Sequence, residues 1–357
     1  MLSIVPVIIA GGLGTRLWPL SCEETPKPFI EIFEGKSLFQ KTMLRITPFL
    51  KEGGSPLIVT NKAFESLCRK QAESIGVTQF YSLIEPCMKN TTPAIISAAY
   101  FLAHKGDDPI MLVLPADHVI TPFDKFVEYI NQATKLAEKG HIVTFGIEPT
   151  GPKTCYGYIK RGESLGEGFS IDSFKEKPCK EKAESYIASK QHFWNSGIFM
   201  AKASVFLSEM LKYDPTNLNL IMSSIDQSFT EGQKVFLEAQ YYDQIISNSI
   251  DYTIMEKTDK GAVVPANIDW SDIGTWDAYW DHQDKDDQAN VLEGQVSAID
   301  SQGCLFISKG VEIVGFGLED IVAISNGNKV MITTRKKAPE LKKIIESQEK
   351  EKVSKSV

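Results

Sequence analysis

Ile4 to Ala10 is an apolar, β-branched run (IVPVIIA) that ends on Gly11-Gly12-Leu13-Gly14. A strand so uniformly apolar offers no side to water, so it needs cover on both faces. A mostly parallel sheet between helices meets that condition. The pattern recurs. Leu57–Thr60, Ile110–Leu114 and Ile142–Ile147 read as further buried strands, with Pro93–His104 and Phe123–Lys139 as helices between them. In such sheets ligands bind beyond the carboxyl ends of the strands, so the residues just after each run are where chemistry is expected.

After the first run, Gly11, Gly12 and Gly14 let backbone approach a phosphate closely and aim several N–H groups at it. Thr15 and Arg16 follow, then Lys27. Two familiar loops do not fit. A dinucleotide fingerprint needs a small residue where Leu17 stands, and a Walker A loop needs Gly-Lys-Ser/Thr. Backbone N–H groups with an arginine and a lysine suit a triphosphate. The same glycines suit a plain strand–helix turn, and on these residues alone both readings stand.

A chain of 357 residues is about two domains long. The net charge of −8 argues against a nucleic-acid-coating protein, and no apolar run approaches the ~20 residues that cross a bilayer. The N-terminus lacks the basic start and cleavage site of a signal peptide. The six cysteines are scattered, without a C-x-x-C pair, which fits a reducing, cytoplasmic setting and no zinc ribbon. There the sequon at Asn90-Thr91-Thr92 is not expected to carry glycan. Residues 155–270 mix strands and helices. Asp281–Gln288 reads as a charged, turn-rich stretch and a candidate linker. Beyond it, Gln295–Ile299, Cys304–Ile307, Val311–Val314, Ile321–Ile324 and Val330–Thr333 read as short strands of a small all-β module. Pro339–Lys352 reads as a charged helix with a solvated lysine face.

The string GGLGTRLWPLSCEETPKPF resembles the signature of the sugar nucleotidyltransferase family, and its Trp18-Pro19-Leu20-Ser21 continuation resembles the mannose-1-phosphate guanylyltransferase branch. More motifs follow in the family's order: NTTPA (90–94), LPADH (114–118), YGYI (156–159), EKP (176–178), WNSGIF (194–199), SIDYTIMEK (249–257) and WSDIGTW (270–276). The resemblance runs to about residue 335. It implies an α/β fold: a Rossmann-like nucleotidyltransferase domain with a mixed sheet over residues 1–283, a small left-handed β-helix domain over 284–335, and a charged tail over 336–357.

The resemblance also implies the chemistry. The phosphate oxygen of mannose 1-phosphate attacks the α-phosphorus of GTP in line, giving GDP-mannose and pyrophosphate without a covalent enzyme intermediate. Catalysis is then positioning and charge neutralisation. Arg16, Lys27, Asp117, Lys177 and Asp272 are the implied catalytic residues, with Asp117 and Asp272 holding Mg²⁺. Gly11, Gly12, Gly14, Thr15, Arg16, Lys27, Glu85, Asn90, Thr91 and Asp117 bind the nucleotide. Gly157, Glu176, Lys177, Asn195, Asp251 and Glu256 bind the sugar phosphate. His118, Phe193 and Trp194 read as structural. An N-cap of a helix starting near Ile273 is the alternative role for Asp272.

Cys22 stands where the branch usually has Arg, Pro28 where it has Gln, and Cys155 where it has Gly. The first removes a positive charge beside the proposed triphosphate site. Rivals are the same transfer with another base or sugar 1-phosphate, and a nonenzymatic subunit that binds sugar nucleotides. The added isomerase domain of two-function relatives is not expected in the ~20 residues after 335, fewer than a domain needs. Neither nucleic acid nor membrane is an expected partner, and a homodimer is left open.

Overall fold

The computed structural model describes residues 3–33, 35–50, 55–106, 108–341 and 344–345. Two compact units emerge. The first is Met1–Gly12 with Phe39–Trp270; the second is Leu13–Leu38 with Ser271–Val357.

The first unit is built on an eleven-stranded mixed sheet. Named by first residue, its order is Phe229, Lys234, Tyr81, Leu57, Ile4, Ile110, His192, Ile142, Gly261, Phe169, Tyr158. The central strand Ile4–Ile9 pairs in parallel with Leu57–Asn61 on one side and with Ile110–Pro115 on the other. Lys234–Phe236 and Tyr81–Glu85 extend the parallel block. His192–Lys202 runs antiparallel between Ile110–Pro115 and Ile142–Ile147. Leu57–Asn61 and Ile142–Ile147 are buried at every position, as strands covered on both faces must be.

The helices differ in how they cover the sheet. Thr91–His104 has an unbroken buried run from Thr92 to Tyr100, so it is a core helix with no solvent face along that stretch. Asn90 caps it, its side chain accepting the Thr91 N–H, and Pro93 sits in the first turn, where its missing N–H costs no helical bond. Phe123–Glu138 buries Phe126, Ile130, Ala133, Leu136 and Ala137, a single stripe at helical spacing.

In the second unit, successive strands alternate between two parallel ladders. Val291–Glu293, Leu305–Lys309 and Ile321–Asn326 form one, and Val296–Ile299 with Ile313–Phe316 the other. Lys329–Thr334 then folds back antiparallel on Ile321–Asn326. One cluster of its interior is Cys304, Phe306 and Ala323, ringed by Val296, Ala298, Ile313, Leu318 and Ile321. The N-terminal segment is tied to these coils and to the helix Trp276–Asp281. Trp276 Nε1 donates to Trp18 O (3.0 Å), Asn326 Nδ2 to Pro19 O (2.9 Å) and Lys309 Nζ to Glu31 O (2.7 Å).

The stretch expected to be a linker is an ordered turn. Asp286 Oδ1 accepts the N–H groups of Gln288 (3.0 Å) and Asn290 (2.7 Å), and Asn290 bonds on to Ser301 O. Its charge density reflects capping rather than slack chain. Most of the helix expected over Pro339–Lys352 lies outside the described residues. Its first residues differ from expectation, since Pro339 belongs to a 3₁₀ turn, Ala338–Glu340. No helix among the described residues is long and apolar enough to cross a membrane.

Phe306 is fully buried in this cluster of the second unit. Phe306→Ala should lower the unfolding free energy by ~3–5 kcal/mol, read from urea denaturation midpoints. A midpoint unchanged from wild type would contradict this account of the second unit.

Candidate active site

The first unit gathers most of the candidate residues at strand ends. Glu85 closes the strand Tyr81–Glu85 and is 3% exposed. A Cβ on Gly11 would lie 3.3 Å from Glu85 Oε2, so the carboxyl sits against the first glycine of the loop. Tyr242, fully buried, donates its phenol to Glu85 Oε1. Burial pushes the Glu85 pKa up to about 8, although the Tyr242 bond works the other way. Asn61 Nδ2 donates to Gly11 O (3.4 Å) and Thr60 Oγ1 to Ala10 O (3.0 Å), which fixes the strand's exit.

Asp117 follows the strand Ile110–Pro115 by two residues and is partly exposed. His118 Nε2 lies 3.8 Å from Asp117 Oδ1, and His118 Nδ1 accepts a bond from Trp270 Nε1 at 3.2 Å. That second bond gives the imidazole the structural part expected of it.

The proposed sugar-phosphate residues form a connected group. Asn195 lies in a bulge of His192–Lys202: four steps from Asn195 to Phe199 oppose two from Gly146 to Thr144. Thr144 Oγ1 (2.9 Å) and the Gly197 N–H (3.1 Å) donate to Asn195 Oδ1, and Asn195 Nδ2 donates to Asp251 Oδ1 (3.0 Å). The amide is therefore assigned by its partners and aims its donor at Asp251. Lys177 Nζ donates to Glu176 Oε1, and the Glu176 N–H donates to Glu256 Oε1 at 3.1 Å. A Cβ on Gly157 would stand 2.5 Å from Glu176 Oε2 and 3.2 Å from Asn195 Cβ. Glycine here makes room for the Glu176 carboxylate and the Asn195 side chain. Phe193 and Trp194 are buried, as expected of core residues.

Asp251 opens a single π-helical turn, Asp251–Met255, a distortion frequent at functional sites. Burial, then the Glu176 charge, pushes its pKa up to about 6. For Lys177, burial opposes the charge, but the Glu176 bond and the charges of Glu176 and Asp251 outweigh it and raise the pKa. Lys177 also holds a positive φ of 44°. Thr91 Oγ1 accepts the Ile250 N–H at 3.0 Å, which joins the Asn90-Thr91 turn to the Asp251 segment.

The second unit holds the remaining candidates. Gly14 has φ 61°, and a Cβ on it would lie 2.3 Å from Lys27 Cβ, so no other residue fits there without displacing the lysine. Lys27 is 5% exposed; its N–H bonds Leu13 O (3.0 Å) and its Nζ donates to Asp272 O. Lys27 and Asp272, far apart in sequence, are thus adjacent. Asp272 Oδ1 accepts the Gly274 N–H (3.1 Å). It is not a helix N-cap: Trp276–Asp281 is capped by Thr275, which accepts the Ala278 N–H, while Ile273 takes φ 41°. Thr15 and Arg16 form a short 3₁₀ turn with Leu17 and are partly exposed.

The sequence reading missed Tyr242 and Thr144. Both lie outside any motif, and Tyr242 meets Glu85 across 157 positions, so no local signal marks it.

The chain matches the nucleotidyl transferase family model over residues 5–289. It is 37% identical to a mannose-1-phosphate guanylyltransferase of Klebsiella pneumoniae over 96% of this chain and 73% of the relative. An Escherichia coli enzyme of the same name is 36% identical over the same shares. A solved Thermus thermophilus structure, described as a mannose-1-phosphate geranyltransferase, superposes with TM-score 0.87 over 98% of this chain and all of that one, at 28% identity.

Glu85 and Asp251 have a consequence for stability. Both pKa values rise on folding, so each contributes stability below its unfolded value that is lost as pH climbs through the folded one. For Asp251 the window runs from 3.8 to about 6, and for Glu85 from 4.5 to about 8. Unfolding free energy should therefore still fall between pH 6 and 8, and Glu85→Gln should flatten that fall. Urea titrations at the two pH values check it. An identical slope in wild type and variant would contradict a protonated Glu85.

Proposed function

The chain belongs to the nucleotidyl transferase family, among its mannose-1-phosphate guanylyltransferases, and from that premise we propose that it transfers GMP from GTP to mannose 1-phosphate. The observation that carries the reading is the match at 37% identity along 96% of the chain. A phosphate oxygen of mannose 1-phosphate forms the new bond to the α-phosphorus. The bond from that phosphorus to the bridging oxygen breaks, and pyrophosphate leaves with the electron pair. GDP-mannose is the other product.

Two anions must meet, so the proposed roles are electrostatic and geometric. The N–H groups around Gly11, Gly12, Gly14 and Thr15, with Arg16 and Lys27, bind the triphosphate. Glu85, Asn90 and Thr91 hold the nucleoside. Lys177 meets the sugar phosphate, and Gly157, Glu176, Asn195, Asp251 and Glu256 surround the sugar. The hydrogen bonding of Asn195 and Asp251 supports this, because it presents a fixed donor–acceptor set suited to adjacent hydroxyls.

The family reading also implies Mg²⁺, with Asp117 and Asp272 as its carboxylates. Among the described residues no cluster of three or more His, Cys, Asp or Glu side chains is placed to hold a metal alone. That fits an ion bound by one or two carboxylates, substrate phosphates and water, as Mg²⁺ prefers. When bound, it supplies neutralisation of phosphate charge. The parallel coils of the second unit support a left-handed β-helix at 284–335, after a catalytic domain ending near 283 and before a tail from 336. A cytoplasmic location completes the reading.

Pyrophosphate release with each nucleoside triphosphate crossed against several sugar 1-phosphates tests the assignment. GTP with mannose 1-phosphate should give the highest kcat/KM. A different base or sugar leading by tenfold or more would overturn it.

Single changes test the roles. Asp117→Ala should lower kcat by ~10²–10³-fold with folding retained. Lys177→Ala should raise the KM for mannose 1-phosphate and lower kcat while GTP binding alone is unchanged. Loss of GTP affinity with normal mannose 1-phosphate kinetics would move Lys177 to the nucleotide.

A further inference from the structure

Arg45 stands on the helix Leu38–Ile46 and is only 8% exposed. Stripping a guanidinium of water is costly, and buried arginines ordinarily recover that cost from a carboxylate. Arg45 makes no ion pair among the described residues. Its bonds run from Nη1 to Thr42 Oγ1 (3.4 Å) and from Nη2 to the main-chain oxygen of His118 (3.3 Å). Burial pushes its pKa down to about 10, which leaves it a cation at neutral pH.

His118 directly follows Asp117. Arg45 and Trp270 both hold the loop. Arg45 grips its backbone, and Trp270 grips the His118 ring through Nε1 at 3.2 Å, with the two rings edge to face at 5.4 Å. An apolar side chain of similar length would fill the Arg45 site without the desolvation cost, and packing alone does not call for a cation there. What only the guanidinium provides is a fork that joins its own helix, at Thr42, to the carbonyl beside Asp117.

We propose that Arg45 is a positioning residue, a buried cation that fixes the His118 carbonyl and through it the direction of the Asp117 carboxylate. The inference rests on the role of Asp117 as a metal ligand in the transfer reaction.

The test compares Arg45→Met, Arg45→Lys and Asp117→Ala in the full chain. Arg45→Met should lower kcat at least tenfold and raise the Mg²⁺ concentration for half-maximal rate. Its Tm should be unchanged or a few degrees higher, because the unpaired charge is gone. Amide exchange at residues 117–119 should quicken. Arg45→Lys keeps the charge but cannot span both partners, so its kcat should lie between wild type and Arg45→Met; it carries the test if the methionine variant does not fold. Wild-type kcat and Mg²⁺ response in either Arg45 variant, with Asp117→Ala inactive, would overturn the proposal alone. A lower Tm with undiminished kcat would assign Arg45 to stability only and also overturn it. Full turnover in Asp117→Ala would instead remove the premise.

Discussion

The parallel ladder around Ile4–Ile9 is the constraint on which the first unit depends. Ile4 to Ile9 face Ile110 to Pro115 residue for residue, while Val7 to Ile9 face Leu57 to Val59. Because the strands are parallel, their carboxyl ends emerge at one edge. Gly11, Asn61, Glu85 and Asp117 all follow from that edge. Cover on both faces makes the strands rigid, and rigidity is what a reaction governed by positioning requires. The same arrangement places Arg45 and Trp270 where they can hold the segment after Ile110–Pro115.

Around this scaffold the protein buries ionisable groups that a stability optimum would avoid. Glu85 is held by a phenol, Asp251 lies near Glu176 and Lys177, and Arg45 bonds to neutral groups among the described residues. Each is locally unfavourable, and each lies beside residues assigned to substrate. Such departures concentrate at sites whose groups must be ready for an incoming charged ligand. Lys177 illustrates the balance: its ammonium bonds the Glu176 carboxylate, and in the proposed reaction it would meet the sugar phosphate.

Much of this was legible in the sequence because the signals were local. Uninterrupted apolar runs marked the buried strands of the first unit, and the bounds found for Ile142–Ile147 are those read from the residues. The five β-like runs after Gln288 fell on strands, since each is apolar and bounded by turn residues. What was not legible depends on contacts between distant segments. Nothing near Asp272 announces Lys27 as its neighbour, and nothing near Tyr242 announces Glu85. Nothing near Gly157 announces that the Glu176 carboxylate packs against it from another strand's end. Asp281–Gln288 reads as turn-rich and is a turn, but that Asp286 caps it depends on bonds to Gln288 and Asn290 that composition does not specify.

The account turns on a single displacement at the α-phosphorus, with the enzyme supplying position and charge rather than a covalent intermediate. The stereochemical course tests that most directly. One diastereomer of the α-thio analogue of GTP is turned over with mannose 1-phosphate, and the configuration of the thio-GDP-mannose is determined by phosphorus NMR. One in-line attack predicts inversion. Retention would require two displacements through a nucleotidyl-enzyme and would contradict the account.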